Sequence, residues 1–294
     1  MMQQVKLHSQ GPGLSRIIAG TWRWAHVSSA QLSTLVYAAL ENGITTFDHA
    51  DIYGNYCCEE NFGQVLRGNS ALRNKLQLVT KFGIKLLSDK RPAHLIKHYD
   101  TSAEHVVWSV ENSLRALNTD RIDVLLVHRP DPLLNPTEVA EAFTTLRQQG
   151  KILHAGVSNF TPTQFEMLQS YLTFPLVTNQ IELSLFRHEP FFNGDTDMLM
   201  KHKVRPMAWS PLGGGKFFEA EKVKSLLERL SLEYSITPTQ LLLGWLLKHA
   251  SGVLPILGTT KAERMAEGAA AAEVTLDRQH WFELLKAVSG KDVA

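Results

Sequence analysis

Short apolar, β-branched runs alternate with amphipathic stretches along the whole chain. The runs are Arg16–Gly20, Ile44–Asp48, Leu76–Lys81, Asp123–His128, His154–Val157, Leu176–Ile181, Arg205–Trp209 and Val253–Leu257. Each reads as a buried strand. Between them lie helical patterns. Ser29–Glu41 carries Leu32, Leu35, Ala38 and Ala39 at helical spacing. Ala103–Leu117 repeats Val106, Val110, Leu114 and Leu117, and Thr137–Gln149 repeats Val139, Ala142, Phe143 and Leu146. Ser29, Thr161-Pro162 and Thr237-Pro238 supply capping hydroxyls, and Gly43 and Gly150 are helix stops.

Strands that alternate with helices pair in parallel through right-handed crossovers. Eight of them, with no break in composition, predict an α/β fold, a closed (β/α)8 TIM barrel. One domain spanning residues 1–294 is expected, since barrels of about 250 residues are routine. Two segments exceed the repeating unit. Phe217–Tyr234 precedes the last helix of the barrel cycle, and Arg278–Val288 forms a terminal helix.

Three strand ends carry charge. The second run closes on Asp48, the third on Lys81 and the fourth on His128. A charge at a buried strand end costs several kcal/mol to desolvate unless it is paired. If the strands are neighbours, the three groups converge on the C-terminal rim, where barrel enzymes hold their chemistry. Tyr53 follows Asp48 by one short loop. A cation beside a phenol favours phenolate, and an Asp behind the cation keeps it charged. Tyr53 is then a general acid toward a carbonyl oxygen becoming alkoxide, and His128 a hydrogen-bonding partner of the same oxygen.

Composition narrows the classes. Lys+Arg 30 against Asp+Glu 29 leaves +1, so there is no electrostatic case for nucleic acid or an anionic membrane. No stretch approaches the ~18 apolar residues of a membrane span. The only two cysteines, Cys57 and Cys58, are adjacent and expected to be reduced, which points to the cytoplasm. A metal-dependent hydrolase reading, with Asp48, His49 and Asp51 as ligands alongside His128, fails on alternation. Asp48 and His49 must point to opposite faces of a strand, so no metal is expected.

These motifs resemble the aldo-keto reductase family over essentially the whole chain, above all its bacterial YdhF-like oxidoreductases. The string Asp48-His49-Ala50-Asp51-Ile52-Tyr53-Gly54 and the stretch from Leu114 to Asp123, followed by His128-Arg129-Pro130, carry the likeness. The resemblance implies a catalytic tetrad of Asp48, Tyr53, Lys81 and His128. It implies NADPH-dependent reduction of aldehydes and ketones to alcohols, with Tyr53 as proton donor, and a small-molecule carbonyl substrate. An NADP(H)-holding regulatory module with little turnover is the alternative.

The cofactor stretches match residue by residue. Gly20, Thr21, Trp22 and Asp48 lie at the cofactor end of the barrel. Ser158, Asn159 and Gln180 correspond to the nicotinamide-amide partners. Trp209 stands where an aromatic stacks on the ring. Ser210, Pro211, Leu212, Gly213 and Gly214 form the pyrophosphate loop. Gly258, Thr259, Thr260, Lys261 and Arg264 resemble the clamp for a 2′-phosphate, which favours NADP(H) over NAD(H). Gly258 replaces a frequent Lys, His49 replaces a small residue, and the Asn55–Cys58 loop is longer than usual. Trp22, Arg23, Trp24, Tyr53, His128, Arg129 and Trp209 are expected to line a mostly apolar substrate cleft.

Overall fold

The computed structural model describes residues 4–218 and 221–293. Its centre is a closed barrel of eight parallel strands, adjacent in space in their order along the chain. They are β1 (Ile18–Gly20), β2 (Thr46–Asp48), β3 (Gln77–Phe82), β4 (Ile122–Val127), β5 (Ile152–Ser158), β6 (Leu176–Glu182), β7 (Met207–Trp209) and β8 (Leu254–Leu257). All eight expected strands are present. His128 falls one residue beyond β4 instead of within it.

The interior is filled by Ile18, Val79, Val124, Leu126, Val177, Met207, Leu254 and Ile256. Leu7 and Leu14 join this cluster and are fully buried. They come from an unpredicted antiparallel hairpin, Gln4–Lys6 with Gly13–Ser15. At three residues a strand, around Gly11-Pro12-Gly13, it offers too little periodicity to read from sequence.

The helices include α1 (Ser29–Glu41), α2 (Cys58–Leu66), α3 (Ala103–Ala116), α4 (Pro136–Gln148), α5 (Pro162–Ser170), α6 (Asp195–Lys201), α7 (Glu221–Tyr234), α8 (Pro238–Leu247), α9 (Ala262–Ala270) and α10 (Arg278–Ser289). Capping boxes start three of them: Ser28 with Gln31, Thr161 with Gln164, and Thr237 with Gln240. The cap of α1 is thus Ser28, not Ser29. Only Ser28 has the extended backbone that aims its hydroxyl at the first turn. Gly43 and Gly150 follow their helices in the left-handed region, at φ 75° and 70°. Of the expected segment Phe217–Tyr234, Phe217 and Phe218 end a 3-10 stretch from Gly213, residues 219 and 220 lie outside the described residues, and α7 forms the part from Glu221 on.

At the N-terminal end of the barrel, Asp123 accepts hydrogen bonds from Arg73 Nη2 and from the Leu78 amide, each at 2.8 Å. Arg73 also donates to the carbonyls of Leu76 and Arg121. This half of the second family-like motif is therefore structural and far from the opposite rim. Among the described residues no helix is long and apolar enough to cross a membrane.

Candidate active site

Strand alternation at β2 sends Phe47 outward and Asp48 inward. Phe47 packs with Trp24 and Phe62 between strand and helices. The Asp48 carboxylate is 3% exposed and meets the fully enclosed Lys81 ammonium from β3. Lys81 Nζ donates to both Asp48 oxygens, at 2.9 and 2.8 Å, and to the His49 carbonyl at 2.7 Å. Its remaining neighbour is the Tyr53 hydroxyl at 3.0 Å. Gln180 Nε2 from β6 reaches across the barrel to Asp48 Oδ1 at 2.8 Å. Two buried charges thus offset their desolvation through a dense set of bonds.

Tyr53 is delivered by a reversed loop. Gly54, Asn55 and Tyr56 all adopt positive φ, at 60°, 55° and 63°. A Cβ on Gly54 would sit 2.6 Å from both Ala25 Cβ and Cys58 Sγ, so only glycine fits. Asn55 and Tyr56 carry side chains in that region, a strain of about 1 kcal/mol or more each. Such strain persists where surrounding contacts over-determine it. Here Cys57 Sγ donates to the Gly54 carbonyl at 2.8 Å, and the Tyr56 hydroxyl accepts from the Leu86 amide at 2.8 Å.

The phenol differs from the expectation of easy ionisation. Burial raises the Tyr53 pKa above its ordinary value, and the nearby Asp48 charge adds to this. Lys81 pulls the other way and does not prevail. Tyr53 is therefore a neutral phenol that keeps its proton at neutral pH. Burial opposes charge on Lys81, but Asp48 and then Tyr53 more than restore it, and its pKa ends above the ordinary lysine value. Its cation also lies 4.8 Å from the Tyr53 ring centroid.

The His128 ring stands edge-on to Tyr53, with centroids 5.9 Å apart. Burial, then repulsion from Lys81 and Arg129, holds its pKa well below the usual imidazole value. It is neutral at physiological pH and suited to hydrogen bonding rather than proton delivery. Its buried Nδ1 has no partner among the described residues.

The cofactor-like residues gather beside these four. Asn159, at φ 61°, donates to Ser158 Oγ at 2.8 Å and to the His128 carbonyl at 3.3 Å. Its Oδ1 accepts from Trp209 Nε1 at 2.9 Å. Ser158 Oγ donates to the Gln180 carbonyl at 2.9 Å. After β7, Ser210, Gly213, Gly214 and Gly215 all have positive φ, a run that fans backbone N–H groups. A Cβ on Gly214 would meet open space, whereas one on Gly213 would strike Phe186. Pro211 is buried and Leu212 is half-buried.

Gly20 lies where β1 and β8 approach closely, and a Cβ there would be 2.8 Å from Ile256. Thr21 is buried and bonds Asp48 O and His49 Nδ1. Gly258 has a local reason. Trp22 Nε1 lies 2.8 Å from where its Cβ would be, so a side chain there would have to displace the half-exposed Trp22 indole. Thr259 Oγ1 accepts from the Lys261 amide at 3.1 Å, just before α9. Thr260, Lys261 and Arg264 are exposed around the α9 N-terminus, where backbone donors and the helix dipole favour an anion.

Two expectations about the substrate cleft need correction. Trp24 is no pocket wall. It is 1% exposed, stacked on Phe62, and its Nε1 donates to the Thr259 carbonyl. Phe47 and Phe62 draw it behind the strands, into the layer between barrel and helices. Nor is the cleft beside Trp209 mostly apolar. A cavity of about 480 Å³ opens there, and Arg129, Glu182, Arg187, Asn193 and Asp195 share its lining with Trp209. Trp22 is half-exposed at the rim, under the Arg23 guanidinium at 4.8 Å.

His49 points away from Asp48, into the helix layer. It packs edge-on to Phe62, with centroids 4.5 Å apart, and burial pushes its pKa down to about 3. Beneath the rim lies a polar layer that the sequence did not disclose. Asp51 accepts from Ser109 Oγ at 3.0 Å, and Glu59 accepts from Thr80 and Ser113 at 2.5 and 2.9 Å. The only sequence signal for Glu59 is its place on the inward face of α2.

A phenol, an enclosed ammonium–carboxylate pair and a neutral imidazole thus stand together on the C-terminal rim of a closed barrel of eight parallel strands. The aldo/keto reductase family model matches residues 16–288. The chain belongs to that family. It is 44% identical to a 6-dehydroglucose reductase of Agrobacterium fabrum and 42% identical to the oxidoreductase YdhF of Escherichia coli. Both alignments cover 100% of each chain. Among solved structures, the thermostable aldo-keto reductase Tm1743 superposes with a TM-score of 0.85 at 26% identity. That match covers 97% of this chain and 100% of the other.

Proposed function

We propose that this chain is an NADPH-dependent carbonyl reductase, one barrel domain over residues 1–294, in which Tyr53 protonates the substrate oxygen. The observation that carries this is the contact chain from Asp48 through Lys81 to the Tyr53 hydroxyl, closed in a buried site. The residues present fit a nicotinamide dinucleotide. Ser158, Asn159 and Gln180 would hold the carboxamide, with Trp209 against the ring. The Ser210–Gly215 backbone would take the pyrophosphate. Thr259, Thr260, Lys261 and Arg264 would take a 2′-phosphate, which favours NADP(H) over NAD(H). When bound, such a cofactor supplies the hydride.

The chain's own residues do the rest. Tyr53, kept neutral by burial, gives its proton as the carbonyl oxygen gains charge. Lys81 stabilises the phenolate left behind, and Asp48 holds Lys81 in place. Neutral His128 orients the same oxygen by a hydrogen bond. Placement in the cytoplasm is supported by two unpaired cysteines. A relative at 44% identity is named a 6-dehydroglucose reductase, so oxidised sugars belong in any substrate panel. The test is loss of NADPH absorbance with a panel of aldehydes, run beside NADH. Turnover with NADPH is expected, and none with either cofactor would refute the reading.

A further inference from the structure

Cys57 and Cys58 stand directly behind the turn that delivers Tyr53, and no step of carbonyl reduction uses them. Cys57 is partly exposed, Cys58 is buried, and both are free thiols. Their sulfurs crowd the same residue. A Cβ on Gly54 would lie 3.1 Å from Cys57 Sγ and 2.6 Å from Cys58 Sγ. Cys57 Sγ donates to the Gly54 carbonyl at 2.8 Å, and the Cys57 amide donates to the Tyr53 carbonyl at 3.1 Å. Asn61 Nδ2 donates to the Cys57 sulfur at 3.9 Å. The pair thus braces the positive-φ turn of Gly54, Asn55 and Tyr56. Burial, then Cys57, pushes the Cys58 thiol up to about 12. Cys58 is therefore inert as a first attacker, and the exposed partner must react before it. Cys57 lies one residue outside α2, so the backbone there can twist without breaking the helix.

Adjacent α-carbons are about 3.8 Å apart across a trans peptide, short of the ~4.4–6.8 Å usual for a disulfide. Neighbouring cysteines therefore bridge only by twisting the peptide between them. Here the twist falls on Cys57, whose amide and thiol both bond the Tyr53–Gly54 segment. Closure also removes the S–H that holds the Gly54 carbonyl. We propose that Cys57 and Cys58 are a peroxide-reactive modification site, closing to a vicinal disulfide that draws the Tyr53 hydroxyl away from Lys81. The Cys57 thiolate attacks one oxygen of a hydroperoxide. An S–O bond forms, the O–O bond breaks, and the departing oxygen leaves as an alcohol, or as water from hydrogen peroxide. Cys58 sulfur then attacks the Cys57 sulfenic acid. The S–S bond forms, the S–O bond breaks, and water leaves with the second thiol proton. The two thiols are oxidised and the peroxide is reduced. A strained disulfide is readily reduced by other thiols, so the change is reversible. The loss of turnover on closure rests on the reading of Tyr53 as proton donor, whereas the bridge itself does not.

The test exposes the whole protein to hydrogen peroxide, quenches with catalase, and follows intact mass, hydrogen exchange of residues 53–58, NADPH binding and turnover. The wild type should lose the mass of two hydrogens and exchange faster over that segment. Its kcat should fall by at least about 10-fold, as displacement of a reacting group by about 1 Å can cost still more, with NADPH binding kept. Dithiothreitol should restore mass, exchange and activity. Treated Cys57→Ser should keep its own untreated activity. In Cys58→Ser no bridge can form, and dimedone should label Cys57 as a sulfenic acid. A wild-type mass that stays unchanged, or a bridge between two molecules instead of within one, would overturn the proposal. So would a bridge that leaves exchange and kcat unaltered, or equal inactivation of Cys57→Ser. A wild type inactive toward every aldehyde before treatment, yet forming the bridge with faster exchange, would remove the reductase reading and support the site.

Discussion

Replacing Lys81 by Met should destabilise the protein far more than removing both members of its ion pair. The Lys81 side chain is 0% exposed and Asp48 is 3% exposed. In Lys81→Met the carboxylate keeps only the Gln180 bond and loses two ammonium contacts at 2.8–2.9 Å. Stranding one member of a buried pair costs about 3–5 kcal/mol. In the double variant Asp48→Asn/Lys81→Met no buried charge remains, and the introduced amide oxygen can still accept from Gln180. Its loss should be about 1–2 kcal/mol, because an apolar or neutral replacement of a buried pair is close to neutral. The cycle therefore gives a coupling of at least ~2 kcal/mol, read from urea unfolding followed by circular dichroism at about pH 7. Reductase activity should be low in Lys81→Met, in Asp48→Asn and in the double variant, since Tyr53 loses the ammonium 3.0 Å from its hydroxyl or the carboxylate that holds it. Additive single losses, or a Lys81→Met cost below ~1 kcal/mol, would show that the pair is not desolvated as described.

Arg264→Ala should weaken NADPH binding about 10–100-fold and spare NADH, because a charge-assisted contact to phosphate is worth ~1.5–3 kcal/mol. Equal losses in fluorescence titrations would disprove the clamp. Gly54→Ala should cost at least about 1–3 kcal/mol and most of the activity, given its φ of 60° and two 2.6 Å contacts. An unchanged melting temperature would contradict this. Burial, then Glu59, pushes the Asp51 carboxyl up to about 8, against a pull from Ser109. The folded state then holds a proton that the unfolded chain releases near about pH 4. Stability from this group falls as pH rises from about 4 to 8, by up to ~1.4 kcal/mol per pH unit. Asp51→Asn should flatten that limb, so the variant gains on the wild type between about pH 5 and pH 8. A constant difference across the range would refute it.

Much of the site was legible because its parts end strands. Asp48, Lys81 and His128 each interrupt an apolar run, and parallel order makes their strands neighbours. The rest depended on contacts between segments far apart in sequence. Trp24 looked like a pocket aromatic, but Phe47 and Phe62 hold it behind the barrel. Glu182, Arg187 and Asp195 are ordinary loop charges in sequence, and only the folding of the β6–α6 segment against Trp209 brings them to one cleft. The net pKa of Tyr53 depends on burial, which spacing does not reveal. Asp123, embedded in a family-like motif, proved to be a structural anchor at the opposite end of the barrel.

The central claim is that Tyr53 donates the proton. In Tyr53→Phe the ring keeps its place over Lys81, and only the hydroxyl at 3.0 Å is lost. NADPH binding, followed by fluorescence titration, and the melting curve should stay close to wild type. The kcat for aldehyde reduction should fall by at least ~10², the usual size of a general-acid contribution. Near-normal turnover in a folded, NADPH-binding Tyr53→Phe protein would contradict the account.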